Sequence, residues 1–134
     1  MTKFKGNGEH DRKALLVIDD DRVIRETLHR IFSQTYDCDT SDGSEHVLDS
    51  LEEREYDLVI TDVSMPDVDG LQILKRVLAR HSGTPVIVIS GNGDQFRDLF
   101  LEMGAFAYFS KPFRFEELES AVVQAMNQFV DHGG

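Results

Sequence analysis

Six ionic or hydroxyl side chains stand where short apolar runs end. Asp19, Asp20 and Asp21 follow Ala14-Leu15-Leu16-Val17-Ile18. Asp62 follows Leu58-Val59-Ile60-Thr61 and opens the pattern D-x-x-M-P-x-x-x-G, with Met65, Pro66 and Gly70. Ser90 follows the apolar run 85–89 and precedes Gly91-Asn92-Gly93, and Lys111-Pro112 follows the run 106–109. Two carboxylates about 4 Å apart repel by roughly 4 kcal/mol at an effective dielectric near 20. Three therefore call for a cation, and Mg²⁺ favours one or two carboxylates with carbonyl oxygen and water. A divalent ion, the Lys111 ammonium and the Ser90 hydroxyl around a carboxylate suit the equatorial oxygens of a phosphoryl group in transfer. The carboxylate itself can be the nucleophile.

These residues meet only if the runs that carry them are neighbouring strands. The run 14–18 reads as a strand buried on both faces, and Val23, Ile24, Thr27, Leu28, Ile31 and Phe32 then recur with helical period. Asp21 or Arg22 opens that helix, an aspartate there capping its free N–H groups. The pattern continues with a weak strand over 36–40, a polar helix over 43–54 with Val47, Leu48 and Leu51 on one face, and a strand over 57–61. A helix over 70–81 turns Leu71, Leu74, Val77 and Leu78 inward. Next come a strand over 85–89, a short helix with Phe96, Leu99, Phe100 and Met103 stopped by Gly104, and a strand over 106–109. A last helix carries Phe115, Leu118, Val122, Ala125, Met126 and Phe129. Five alternations predict a parallel sheet with helices on both faces and right-handed crossovers. In such a sheet the ligand site lies outside the carboxyl ends of the strands, where all six polar residues fall.

The bulk properties fit one domain of 134 residues. A net charge of -11 argues against nonspecific binding to nucleic acid or anionic membrane. Cys38 is the single cysteine, so an internal disulfide or a Cys-based zinc site is excluded. It reads as a half-buried strand residue, and a lone cysteine fits a reducing compartment. There is no signal-peptide core and no apolar stretch of the ~20 residues a membrane span needs, which points to the cytoplasm. Residues 1–12 read as a loose tail, 13–130 as the domain, and 131–134 as its end or the start of a linker.

Asp19-Asp20, Asp62 with M-P-x-x-x-G, Ser90, and Tyr108 with Lys111-Pro112-Phe113 together resemble the receiver domain of bacterial response regulators, the CheY-like family, across residues 13–130. The resemblance implies an α/β fold: a doubly wound five-stranded parallel sheet of order 2-1-3-4-5 in a flavodoxin/CheY-like three-layer sandwich. It implies that Asp62 accepts a phosphoryl group from a sensor histidine kinase or a phosphotransfer protein. Asp20, Asp62 and the backbone carbonyl of Ser64 would bind Mg²⁺ (or Mn²⁺), with Asp19 helping through a water. Lys111 would pair with Asp62, Ser90 would bond a phosphoryl oxygen, and Tyr108 would turn inward behind it. The Lys111-Pro112 bond is expected to be cis. Ser64 and Asn92 occupy the positions that tune phosphoryl lifetime; both are small and polar, which implies intermediate self-dephosphorylation. A downstream output domain or protein would dock on the face of the fourth helix, fifth strand and fifth helix. Receivers that dimerise there often carry paired acidic residues where Phe106 and Ala107 stand, which argues against that dimer. Six phenylalanines, Phe96, Phe100, Phe106, Phe109, Phe113 and Phe115, cluster in this region. One or two are expected to be exposed on the fourth helix and fifth strand, in an apolar patch that marks an interface.

Two rival readings remain. Asp19-Asp20-Asp21-Arg22-Val23 matches the first motif of haloacid-dehalogenase-type phosphatases, which would make Asp19 the nucleophile, but Gly93-Asp94-x-x-x-Asp98 then precedes Lys111 instead of following it. A scaffold receiver that is never phosphorylated would lack the phosphoacceptor or the lysine, and both are present. Asp67-x-Asp69-Gly70 fails as an EF-hand because Met65 and Arg76 hold ligand positions. Gly91-x-Gly93 lacks the third glycine of a dinucleotide fingerprint, and the scattered histidines read as surface residues.

Overall fold

The computed structural model describes residues 12–43, 46–63, 70–80 and 83–133. The expected tail up to residue 11, Ser64, Met65, Pro66, His10, His81, and the side chains of Phe129 and His132 lie outside the described residues.

The apolar runs form strands: β1 (Ala14–Ile18), β2 (Asp37–Ser41), β3 (Leu58–Asp62), β4 (Val86–Ser90) and β5 (Ala107–Ser110). All pair in parallel, in the order β2-β1-β3-β4-β5. The helices are α1 (Arg22–Phe32), α2 (His46–Glu53), α3 (Gly70–Arg80), α4 (Arg97–Glu102) and α5 (Phe115–Gly133). Every residue of β1, β3 and β4 is buried, as strands covered on both faces require. Alternation then divides the interior into two cores. Leu16, Ile18, Val59, Val86, Val88 and Tyr108 pack with α2, α3 and α4. Leu15, Val17, Leu58, Ile60, Ile87 and Ile89 pack with α1 and α5.

Four strands begin and end one residue later than the apolar runs predict. The parallel ladder is a backbone structure and continues through polar side chains, so Ser41, Asp62, Ser90 and Ser110 are its last paired residues. α2 starts at His46, not at residue 43, because Gly43 has φ 84, a conformation outside any right-handed helix. α5 continues to Gly133, past the expected boundary at 130.

The expectation about phenylalanine is corrected. Phe100 is buried, and Phe96, Phe106, Phe109 and Phe113 are half-buried. Phe109 and Phe113 lie tilted with centroids 6.5 Å apart, and Phe113 meets Phe115 edge-on at 5.3 Å, so the rings cover part of one another. Only Phe115, at the start of α5, is exposed among the six. On α4 the exposed large apolar residue is Leu99, which is 47% accessible. Val123 on α5 is also exposed. No helix among the described residues is long and apolar enough to cross a membrane.

Candidate functional site

The ladder's last rungs set the site. Asp19 N–H donates to Ser41 O at 3.0 Å, Val63 N–H to Ile89 O at 3.0 Å, and Lys111 N–H to Ser90 O at 2.6 Å. These bonds carry the register just past the strand ends and bring Asp19, Asp62, Ser90 and Lys111 to one rim.

Asp19, Asp20 and Asp21 divide three tasks. Asp21 is the N-cap of α1, its Oδ1 accepting the N–H groups of Val23 and Ile24. Asp19 is fully buried, and its Oδ1 accepts Asp21 N–H at 2.8 Å. Asp20 is exposed, yet one carboxylate oxygen from each of Asp19, Asp20 and Asp62 lies within 4.8 Å of the others.

Lys111 Nζ stands between two of these acids, 3.0 Å from Asp19 Oδ2 and 3.5 Å from Asp62 Oδ2. Burial pulls the ammonium's pKa down, but the two carboxylates outweigh it and hold it above its ordinary value. Burial, and after it the charge of Asp19, pushes Asp62 up to about 6, against the opposing pull of Lys111 and of Val63 N–H, which donates to Asp62 Oδ1 at 2.8 Å. Asp19 Oδ2 accepts no hydrogen bond of acceptable geometry; the nearby ammonium compensates it by charge alone. An orphaned buried oxygen among three hard oxygen donors fits Mg²⁺ or Mn²⁺.

Ser90 is fully buried, and its Oγ accepts Asn92 N–H at 3.0 Å. Asn92 is exposed at the mouth of the loop. Tyr108 already lies inward: it is buried, and its hydroxyl donates to Gly93 O at 2.7 Å. The Lys111-Pro112 peptide is cis.

Sequence reasoning named Gly70 only as the close of a motif, and it missed the roles of Arg25 and of the Asp94–Ser110 pair. Gly70 is the first residue of α3, and its N–H donates to Val63 O at 2.7 Å, folding the helix start back against the strand end. Arg25 donates from Nη1 to Asp19 O at 2.8 Å. Asp94 accepts from Ser110 Oγ at 2.5 Å and ties the β4–α4 loop to β5. For Arg25 the available signal was helical period: it lies one turn past the cap at Asp21. Nothing in the sequence marked Asp94 and Ser110 as partners.

A doubly wound parallel sheet with an acid trio and a lysine on its carboxyl rim defines a class of α/β modules with an acidic edge. The comparisons make that class specific. The sequence model of the response regulator receiver domain matches residues 15–123, and the chain belongs to that family. The chain is 33% identical over 115 residues to the DNA-binding transcriptional regulator NtrC of Klebsiella pneumoniae, covering 84% of this chain and 24% of that protein. It is 31% identical over 116 residues to the transcriptional regulatory protein FixJ of Bradyrhizobium diazoefficiens, covering 85% of this chain and 57% of FixJ. The chain thus spans about a quarter of the one relative and just over half of the other. A response regulator receiver domain protein of Clostridium thermocellum superposes with a TM-score of 0.79 at 30% identity, over 87% of this chain and 95% of that one. A CheY-like receiver of Methanospirillum hungatei shares the fold, with a TM-score of 0.83 at 23% identity over 90% of this chain and 98% of its own. The chain is a receiver domain of a two-component response regulator, a signalling module.

Proposed function

We propose that Asp62 is the phosphoacceptor of this receiver. The observation that carries the reading is the Lys111 ammonium, set between Asp19 and Asp62 at 3.0 and 3.5 Å on the rim where the acid trio converges. An Asp62 carboxylate oxygen attacks the phosphorus of a phosphohistidine on a kinase or phosphotransfer protein. The O–P bond forms, the N–P bond breaks, and its electron pair returns to the imidazole nitrogen. Lys111 offsets the charge that reaches Asp62, and the Ser90 hydroxyl turns from Asn92 N–H to donate to a phosphoryl oxygen. Mg²⁺ or Mn²⁺, held by Asp20 and Asp62 with the Ser64 carbonyl and with Asp19 behind them, would neutralise the phosphoryl oxygens. Hydrolysis reverses the switch: water attacks phosphorus and the carboxylate is restored.

The phosphoryl group brings about -1.5 to -2 charges and three acceptors. It shifts the protein only by its differential affinity for one arrangement of Ser90 and Tyr108. The output partner or domain docks on the α4–β5–α5 face, where Leu99 is exposed on α4 and Phe106, Ala107, Glu117 and Gln124 line an open cavity between β5 and α5. Amide shifts on phosphorylation concentrated in α1 and α2 would contradict that placement.

Asp19 fits the phosphatase-like nucleophile less well than Asp62 fits the phosphoacceptor: Asp19 is wholly closed off at 0% exposure, whereas Asp62 keeps 5% of its surface open at the rim. The deciding experiment treats the protein with acetyl phosphate and Mg²⁺, reduces the acyl phosphate with borohydride, and locates the resulting homoserine. Homoserine at position 62, absent in Asp62→Asn, is expected. Homoserine at position 19 would overturn the reading.

A further inference from the structure

Asp19 is held from four directions. Its N–H donates to Ser41 O, its Oδ1 accepts from Asp21 N–H, and its Oδ2 faces Lys111. The fourth contact is the bond from Arg25 Nη1 to its carbonyl oxygen, at 2.8 Å. Ladder, cap and counter-ion explain the first three. Arg25 belongs to none of these, and it makes no hydrogen bond or ion pair with Asp20 or Asp62.

The peptide unit explains what Arg25 does. The Asp19 carbonyl oxygen, the Asp20 nitrogen and the Asp20 Cα lie in one rigid plane. Anchoring the oxygen fixes the direction in which Asp20 leaves the strand end. Arg25 N–H also donates to Asp21 O at 2.9 Å, so the residue closes the first turn of α1 with its backbone while its side chain reaches back to β1. Asp20 is the exposed member of the acid trio, so neighbours crowd it least and its approach to Asp62 depends most on the backbone. The Arg25 side chain is half-buried and lines an open groove of about 710 Å³ with Glu26, His29, Arg30, Ser33 and Thr40.

We propose that Arg25 is a positioning residue for the divalent-cation site, holding the Asp19–Asp20 peptide so that the Asp20 carboxylate converges on Asp62. This rests on the reading that Asp20 and Asp62 hold Mg²⁺. Simple electrostatics gives the opposite sign. Removing a cation beside an acidic site makes it more attractive to Mg²⁺, whereas losing a positioning bond makes binding weaker.

The test is Mg²⁺ affinity by isothermal titration calorimetry on the full chain, with no phosphodonor present. Arg25→Ala and Arg25→Met, the second keeping the stem for folding, should each weaken binding about tenfold, the scale of one charge-assisted hydrogen bond. Arg25→Lys, which keeps a charged donor, should stay within about threefold of the unaltered protein. Guanidinium ion at sub-denaturing concentration should restore Arg25→Ala through the groove. Arg30→Ala, on the same groove, should not weaken binding. Unchanged or tighter binding in Arg25→Ala and Arg25→Met would overturn the proposal, as would equal weakening in Arg30→Ala. Absence of Mg²⁺ binding in the unaltered protein would overturn both this and the reading of the site, whereas normal binding with unaffected Arg25 variants would overturn this alone.

Discussion

A side chain at Gly70 would collide with Asp62. A Cβ placed there lies 2.5 Å from the Asp62 carbonyl oxygen and 2.8 Å from Val63 Cα. Both obstacles are backbone, which cannot swing aside as a side chain can. The glycine that closes D-x-x-M-P-x-x-x-G is therefore a contact residue of Asp62, the proposed phosphoacceptor, beyond its value in a turn.

Gly70→Ala should accordingly destabilise the fold by about 1–3 kcal/mol, the usual cost of overpacking. Urea denaturation measures this, and the rate of labelling by acetyl phosphate should fall with it. Wild-type stability in the variant would mean that α3 retreats freely from the strand end.

The raised pKa of Asp62 fixes the sign of a pH effect. Its ordinary value of 3.8 rises to about 6 in the fold. The folded state thus holds this proton more tightly than the unfolded chain does. The favourable contribution is full below pH 4 and lost as pH rises to about 6. Above that, in EDTA, ionised Asp62 costs about 1–2 kcal/mol after allowance for solvent at the open rim. Asp62→Asn should therefore raise the thermal midpoint at pH 7, with the gain vanishing near pH 4. An equal gain at both pH values would show that charge is not the cause.

Three bonds join the β4–α4 loop and the start of α4 to β5: Tyr108 hydroxyl to Gly93 O at 2.7 Å, Ser110 Oγ to Asp94 Oδ1 at 2.5 Å, and Arg97 Nη1 to Tyr108 O at 3.2 Å. Ser110→Ala and Tyr108→Phe should each remove about 1 kcal/mol of that hold. Hydrogen exchange of amides 93–97 should then quicken about fivefold in each variant. Unchanged exchange in both would show that the loop is held elsewhere.

Phosphoryl lifetime should respond to Asn92, which is exposed beside Ser90. Asn92→Arg places a long side chain over the path of attacking water. The half-life of the acyl phosphate should lengthen several-fold, up to about tenfold, or roughly 1.4 kcal/mol of barrier. Decay at the original rate would remove Asn92 from the account of self-dephosphorylation.

Much of this was legible in the sequence because hydrophobic runs and polar ends carry separate messages. The runs gave strand order of appearance and the polar ends gave the rim. What escaped is what depends on backbone. The ladder runs on into Asp62 and Ser90 although their side chains are polar. Gly70 reads as punctuation until its distance from Asp62 is known. Arg25 reads as an exposed helix residue, because its partner is a carbonyl and carbonyls leave no trace in composition. The aromatic cluster misled for a related reason: Phe109, Phe113 and Phe115 cover one another, so their number overstated the apolar surface left open.

The two cores give the sheet a further consequence. Tyr108, Phe100 and the contacts of α4 belong to the interior shared with α2 and α3, while Leu28, Phe32, Leu118 and Met126 lie behind the sheet. A rearrangement of Tyr108 therefore meets a wall of buried strand residues before it can reach α1. The sheet acts as an insulator between the two cores: a rearrangement on the Tyr108 side would pass along that core to α4 and the edge strand β5, while α1 stays still as its frame of reference.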